Sequence, residues 1–233
     1  MRDDVFERDA VLDARAFRLQ RAFRALLDAM ARPGEVRELP SPTPTASDDA
    51  AAAGLFPSTV TVADVLLDAA TTLACAGGEA SREAAGRALS RRTHVLAAAP
   101  AAAAYAVVPL GVDGSEARAF VSALTPGTLL DPQLGATCVV ECGVLLGLDG
   151  SGARTGSASG SRRALGYVLE GPGIAGTARL ECDRADVLSA RDERRDEFPC
   201  GIDLVLVDRA GHVVCLPRTT RIVWEEEVPS WDM

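Results

Sequence analysis

The chain has 233 residues, 48% hydrophobic but only 4% aromatic, and its 24 basic and 33 acidic side chains leave a formal charge of -9 at neutral pH. That length and apolar content can fill one large or two small domains with a core of Ala, Leu and Val, while the acidic balance and scarce aromatic rings argue against nucleic-acid binding. All 24 basic residues are arginine and none is lysine, which excludes a P-loop lysine on phosphates and a pyridoxal-phosphate Schiff base formed by this chain.

From Asp9 to Ala31, Val11, Leu12, Phe17, Phe23, Leu26, Leu27 and Met30 recur near a helical period, with arginines on the other face. Pro33-Gly34 stops this helix, and Glu35 to Leu39 reads as a short strand. Pro40 to Ala53, rich in Pro, Thr, Asp and Ala, is expected to be a flexible loop. Thr61 to about Cys75 predicts a second helix with Val65, Leu66 and Leu73 on its apolar face. Glu79 to Arg91 predicts a third, whose Arg87, Arg91 and Arg92 suit a helix C-terminus. Val95 to Leu96 and Tyr105 to Leu110 are β-like, separated by the alanine run around Pro100. Ser115 to Leu124 predicts a short helix before the turn Thr125-Pro126-Gly127-Thr128.

Thr137 to Leu148 predicts one apolar strand. The Gly/Ser-rich insertion from Asp149 to Ser161 lacks periodicity and is expected to be solvated and flexible. Arg163 to Glu170 and Thr177 to Cys182 read as strands, and Asp183 to Arg195 as a charged helix opening on an Asp cap. Two apolar strands, Asp203 to Asp208 and His212 to Leu216, join through the turn residues Asp208-Arg209-Ala210-Gly211 as a hairpin. A last strand spans Thr220 to Glu225. Strands interspersed with helices predict an α/β sandwich around one mixed sheet. No break in composition divides the chain, so one domain over 1–233 is expected, with flexible segments near 40–53 and 149–161.

Asp203 stands at the entrance of the first hairpin strand and Arg218 follows the second, so pairing would bring both charges to one end. Asp203, Arg218, Thr219 and Thr220 are therefore candidates either for a structural ion pair with hydroxyl caps or for the wall of an anion site. No catalytic residue is assigned. Gly171-Pro172-Gly173-Ile174-Ala175-Gly176 matches a dinucleotide fingerprint, but an extended segment follows it instead of a helix, so it reads as a turn. A nucleophile elbow is missing from Thr155 to Ser161 because Ala158 sits at the nucleophile position. Cys200 with His212 is a weaker arrangement for a cysteine hydrolase, set against a packed thiol and a hairpin histidine.

The six cysteines lie in or beside apolar runs without any C-x-x-C pair. With His94 and His212 as the only histidines, a zinc site needs ligands from scattered segments. The cysteines read as buried small side chains in a reducing cytoplasm, with no metal expected. The acidic start Met1-Arg2-Asp3-Asp4-Val5 carries no apolar signal region. No run approaches the ~18 apolar residues of a membrane span. A cytoplasmic location is expected.

Several blocks together resemble a known family. They are Phe23-Arg24-Ala25-Leu26-Leu27-Asp28-Ala29-Met30-Ala31-Arg32-Pro33-Gly34, Thr128 with Pro132 and Gly135-Ala136-Thr137, and Gly171-Pro172-Gly173-Ile174. Phe198-Pro199-Cys200-Gly201-Ile202-Asp203-Leu204 and Pro217-Arg218-Thr219-Thr220 complete the series. In this order, over nearly the whole chain, they resemble the PhnH family of the bacterial carbon-phosphorus lyase (phosphonate utilisation) system. The resemblance implies a three-layer sandwich with a mixed sheet, like the PLP-dependent transferase fold but without PLP, and a homodimer. It also implies work beside PhnG, PhnI, PhnJ and PhnL proteins in a ribose 1-methylphosphonate 5-triphosphate synthase, a transferase that joins an alkylphosphonate to the ribose of ATP. The chain would be an accessory or structural subunit there. Two departures stand out: Ala76-Gly77-Gly78-Glu79-Ala80 leads into a helix where relatives have an aromatic strand, and the insertion before Arg163 is longer than expected.

Overall fold

Alternating side chains along a central sheet feed two separate cores, and that division organises the molecule. The computed structural model describes residues 3–41, 48–159, 163–194 and 196–224. The first half of the chain runs α1 (Asp3–Ala31), β1 (Arg37–Glu38), α2 (Asp48–Ala52), α3 (Pro57–Leu66), β2 (Thr72–Cys75), α4 (Glu79–Thr93), β3 (Leu96–Ala97), β4 (Tyr105–Val108) and α5 (Gly114–Ser122). Then follow β5 (Thr137–Cys142), β6 (Val144–Leu148), β7 (Arg154–Ala158), β8 (Leu165–Glu170), β9 (Ala178–Cys182), α6 (Ala185–Glu193), β10 (Asp203–Asp208), β11 (His212–Leu216) and β12 (Arg221–Trp224).

These strands form two sheets, not the single sheet expected. A seven-stranded mixed sheet has the order β1-β11-β10-β5-β4-β2-β3, and a five-stranded sheet has the order β12-β8-β9-β6-β7. In the large sheet β10, β5, β4, β2 and β3 are parallel, while at one side β11 pairs antiparallel with both β10 and β1. All pairs in the small sheet are antiparallel. One face of the large sheet, with Val107, Val139, Val205 and Val213, packs on Leu26 of α1, Val60 of α3 and Leu89 of α4. The other face, with Val108, Val140, Leu204 and Leu206, packs on Val121 of α5, Leu188 of α6 and the inner side of the small sheet. Covering both faces is what buried parallel strands require.

The apolar run expected to form one strand from Thr137 to Leu148 is two strands in different sheets. Gly143 stands at the switch, where a side chain would lie 2.8 Å from an Asp183 carboxylate oxygen and 3.0 Å from the Ser159 carbonyl. Hydrophobicity is continuous across the step, so it leaves no mark in the sequence pattern. The second helix also ends early, at Leu66, and Thr72–Cys75 joins the sheet as β2. Asp68 explains the break: its carboxylate accepts from the Ala70 amide and its carbonyl from Thr71 Oγ1, a local turn that competes with the helix. A strand thus does follow the second helix, just before Ala76.

The Gly/Ser-rich insertion holds β7, paired with β6 from Ala158 to Arg154, while 160–162 lie outside the described residues. In the Pro40 to Ala53 segment, 48–52 form α2 and 42–47 lie outside the described residues. Asp183 does not cap α6; that position is Arg184, and both Asp183 oxygens face the Gly143 amide. The Gly171–Gly176 turn leads into β9, as expected, and its glycine requirement comes from close packing. Gly173 has φ +84°, and a Cβ there would meet the Ala31 carbonyl at the end of α1 at 2.6 Å.

Candidate functional site

The hairpin register Leu204↔Leu216 brings the start of β10 to the end of β11, so Asp203 and Arg218 meet. Arg218 Nη2 lies 2.6 Å from Asp203 Oδ2, Nε lies 3.2 Å from both carboxylate oxygens, and the Arg218 amide donates to Oδ1 at 2.6 Å. Arg218 Nη1 donates to the Pro132 carbonyl at 2.6 Å. The guanidinium is therefore held in a fork by chain groups, and its pKa is pushed further up by the Asp203 hydrogen bonds. Two glycines fit around it: a Cβ at Gly135 would sit 2.7 Å from Arg218 Nη1, and one at Gly201 would sit 2.9 Å from Arg218 Cβ.

Beside this pair opens a cleft of about 850 Å³, walled by the end of β8, the C-terminal part of α6, the segment before β10 and the residues after β11. Arg191, Cys200, Arg218, Thr219, Thr220 and Arg221 line it, with Glu170, Asp192 and Asp196 among the acids. Arg191 is the residue that sequence reasoning missed. It is buried, and its Nε, Nη1 and Nη2 donate to the carbonyls of Ile202, Thr220 and Pro217 at 2.6–3.1 Å. Burial pushes its pKa down, offset in part by the nearby charges of Asp203 and Asp192. At the head of Arg191-Asp192-Glu193-Arg194 it looks like one more charge on a solvated helix, so no local pattern marks it. Thr220 is also buried, and its Oγ1 has no hydrogen-bond partner among the described residues. The cleft can thus offer the Thr219 hydroxyl and the exposed Arg221 charge to a polar ligand, while most donors of its two inner arginines are already engaged.

A second cavity, about 630 Å³, lies where β3 stops short of the end of β2. Leu73, Ala76, Phe120 and Pro100 make its apolar wall, and Arg82, Glu83 and Glu116 also line it. It adjoins the carboxyl end of β2, with helices on opposite sheet faces nearby, the region where open α/β sheets commonly bind ligands. Further along the same end of the sheet, the buried Glu141 occupies the start of α3. Its Oε1 accepts from the Phe56 amide and Thr59 Oγ1 at 2.6 and 2.7 Å, and Oε2 accepts from the Leu110 amide at 3.0 Å. Burial raises the Glu141 pKa above its ordinary 4.5, against the pull of these three donors.

The other sequence candidates separate. Cys200 precedes β10 while His212 opens β11 at the opposite end of the hairpin, roughly 16 Å away for strands of about five residue steps. His212 Nδ1 instead contacts Asp208 Oδ2 at 2.6 Å, and the same oxygen accepts from Ser157 Oγ at 2.6 Å. The cysteine-hydrolase arrangement is not assembled. Five of the six cysteines are buried, and Cys200 is partly exposed. Two buried ones, Cys142 and Cys182, come together beside Asp183.

No curated protein matches the chain. A model of the PhnH family, described as bacterial phosphonate metabolism protein, matches residues 11–223. With more than nine-tenths of the chain matched, and with the hairpin, its Asp203–Arg218 pair and the glycine turn all inside the match, the chain belongs to the PhnH family of bacterial phosphonate metabolism proteins.

Proposed function

We propose that this chain is an accessory, mainly structural subunit of a carbon-phosphorus lyase system. It acts with PhnG, PhnI, PhnJ and PhnL partners in forming α-D-ribose 1-methylphosphonate 5-triphosphate from ATP and an alkylphosphonate. One observation carries the accessory reading: the charged signature of the hairpin block is spent on the chain itself, with Arg218 forked onto Asp203 and the Pro132 carbonyl. The lysine-free composition fits a relative of PLP-dependent transferases that has lost the cofactor. A cytoplasmic homodimer, free to exchange its contacts for those of partner subunits, completes the reading.

Co-expression with those four partners, followed by affinity capture through a tag on PhnI, tests it. Stoichiometric capture of this chain is expected, together with no release of adenine from ATP and methylphosphonate by the chain alone. Adenine release by the isolated chain would overturn the accessory role. A second reading, an independent binder of a small phosphate or phosphonate, is favoured by the cleft with Arg191, Arg221 and Thr219, at whose wall the Thr220 hydroxyl has no partner among the described residues. Calorimetry of the isolated chain with ATP and with methylphosphonate decides between them: heat lost in Arg221→Ala and Thr220→Val supports the binder, and silence with both ligands removes it.

A further inference from the structure

We propose that Cys142, Cys182 and Asp183 form a site for a zinc-class divalent cation that clips the two sheets together. Cys142 ends β5 of the large sheet, Cys182 ends β9 of the small sheet, and Asp183 follows at once. All three are buried, and their ligand atoms lie within 4.8 Å of one another. The two sulfurs are 3.6 Å apart. Tetrahedral zinc, with Zn–S near 2.3 Å and Zn–O near 2.1 Å, sets S···S at about 3.8 Å and S···O at about 3.6 Å. The sulfur pair therefore already spans one edge of a zinc tetrahedron.

The surroundings hold the carboxylate in place. Both Asp183 oxygens accept from the Gly143 amide, at 3.0 and 3.1 Å, and one of them can keep that bond while the other ligates. Such a bond to a ligating side chain is the usual orienting device around a metal. The missing side chain of Gly143 leaves the room, since a Cβ there would lie 2.8 Å from Asp183 Oδ2. Two thiolates and a carboxylate outweigh a divalent cation by one negative charge. The fully buried Arg184 guanidinium, paired with Asp186 through Nε and Nη2 and donating from Nη1 to the Glu141 carbonyl, stands near both cysteines and offsets part of that charge. Soft sulfur donors favour zinc over magnesium or calcium. Each thiol gives up its proton on binding, and the remaining tetrahedral corner takes a water. Because the site is enclosed, the cation is bound as the chain folds, and its binding energy becomes folding energy.

The test is to refold the full chain with and without one equivalent of zinc, and in parallel with cobalt(II). One cation retained per chain after gel filtration, two protons released per zinc, a thiolate-to-cobalt charge-transfer band and a higher melting temperature are expected. Cys142→Ser and Asp183→Asn should each weaken zinc binding by at least about 10-fold, while Cys138→Ser, at a buried thiol outside the cluster, should leave it unchanged. Absence of a retained cation would overturn the proposal. So would equal retention in the Cys142→Ser/Cys182→Ser double variant, or a Cys142–Cys182 disulfide in the isolated protein. Proton release and the cobalt band are read on the unaltered chain, so a variant that fails to fold does not stall the test.

Discussion

At the scale of single residues, buried charges fix the segments that carry no regular structure. Glu141 receives three donors from Phe56, Thr59 and Leu110, tying the start of α3 and the end of the β4 segment to the middle strand of the large sheet. Removing one donor with Thr59→Val should cost roughly 1.5–3 kcal/mol, as for a hydrogen bond to a charged group, measured by urea denaturation. The folded chain also holds the Glu141 proton more tightly than the unfolded chain does, because burial raises its pKa. That stabilising contribution is complete below the ordinary carboxyl pKa and fades as pH climbs through the raised one. Denaturation at a series of pH values should therefore show a decline across that window which Glu141→Gln lacks. Asp203→Asn leaves Arg218 without its partner at a site only 17% exposed, and should cost about 2–4 kcal/mol in the same assay. The meeting of Asp203 and Arg218 was legible because a hairpin fixes both ends of its strands. Glu141 and Arg191 were not, since their partners are mostly backbone groups that only the fold brings near, 85 positions away for Phe56 and Glu141.

Among the elements, a polar strand and an ordinary helix make opposite demands on glycine. Gly156 in β7 has φ +121°, and an ideal Cβ would lie 2.0 Å from the Leu145 carbonyl on β6. Gly156→Ala should open the β6–β7 pairing and cost upwards of about 2 kcal/mol. Gly86, inside α4, meets nothing within 4 Å, so Gly86→Ala should stabilise by roughly 0.5–1 kcal/mol through helix propensity. Equilibrium unfolding of the two variants reads both signs. The helices α1, α4 and α5 and the hairpin announced themselves through apolar period and turn chemistry. Arg154-Thr155-Gly156-Ser157-Ala158 did not, because pairing with β6 and the Ser157–Asp208 bond hold it without any apolar alternation. The sheet change at Gly143 was hidden for the reverse reason: the one charged residue of the apolar run, Glu141, falls inside β5 and not at the step.

Over the whole molecule, the two sheets share one core: Val140, Leu204 and Leu206 of the large sheet pack in the same cluster as Leu145, Leu169 and Leu180 of the small one. Far-ultraviolet and near-ultraviolet circular dichroism should accordingly follow a single coincident thermal transition. Two separated transitions would mean that the sheets fold as independent units. Apolar side chains remain outside this core at Leu129, Leu130, Leu134 and Phe198, with Leu130 91% exposed. They belong to the segments that Arg218 and Gly201 hold together around Pro126 and Pro132.

The single-residue step at Gly143 also sets how the molecule transmits force. β5 is the central strand of the large sheet and β6 lies within the small one, with no slack chain between them. A push on the outer strand β7 therefore passes through one neighbour, β6, to the middle of the large sheet. A partner gripping that edge would be joined, through β6 and the one residue Gly143, to the strand that carries Glu141 and Cys142.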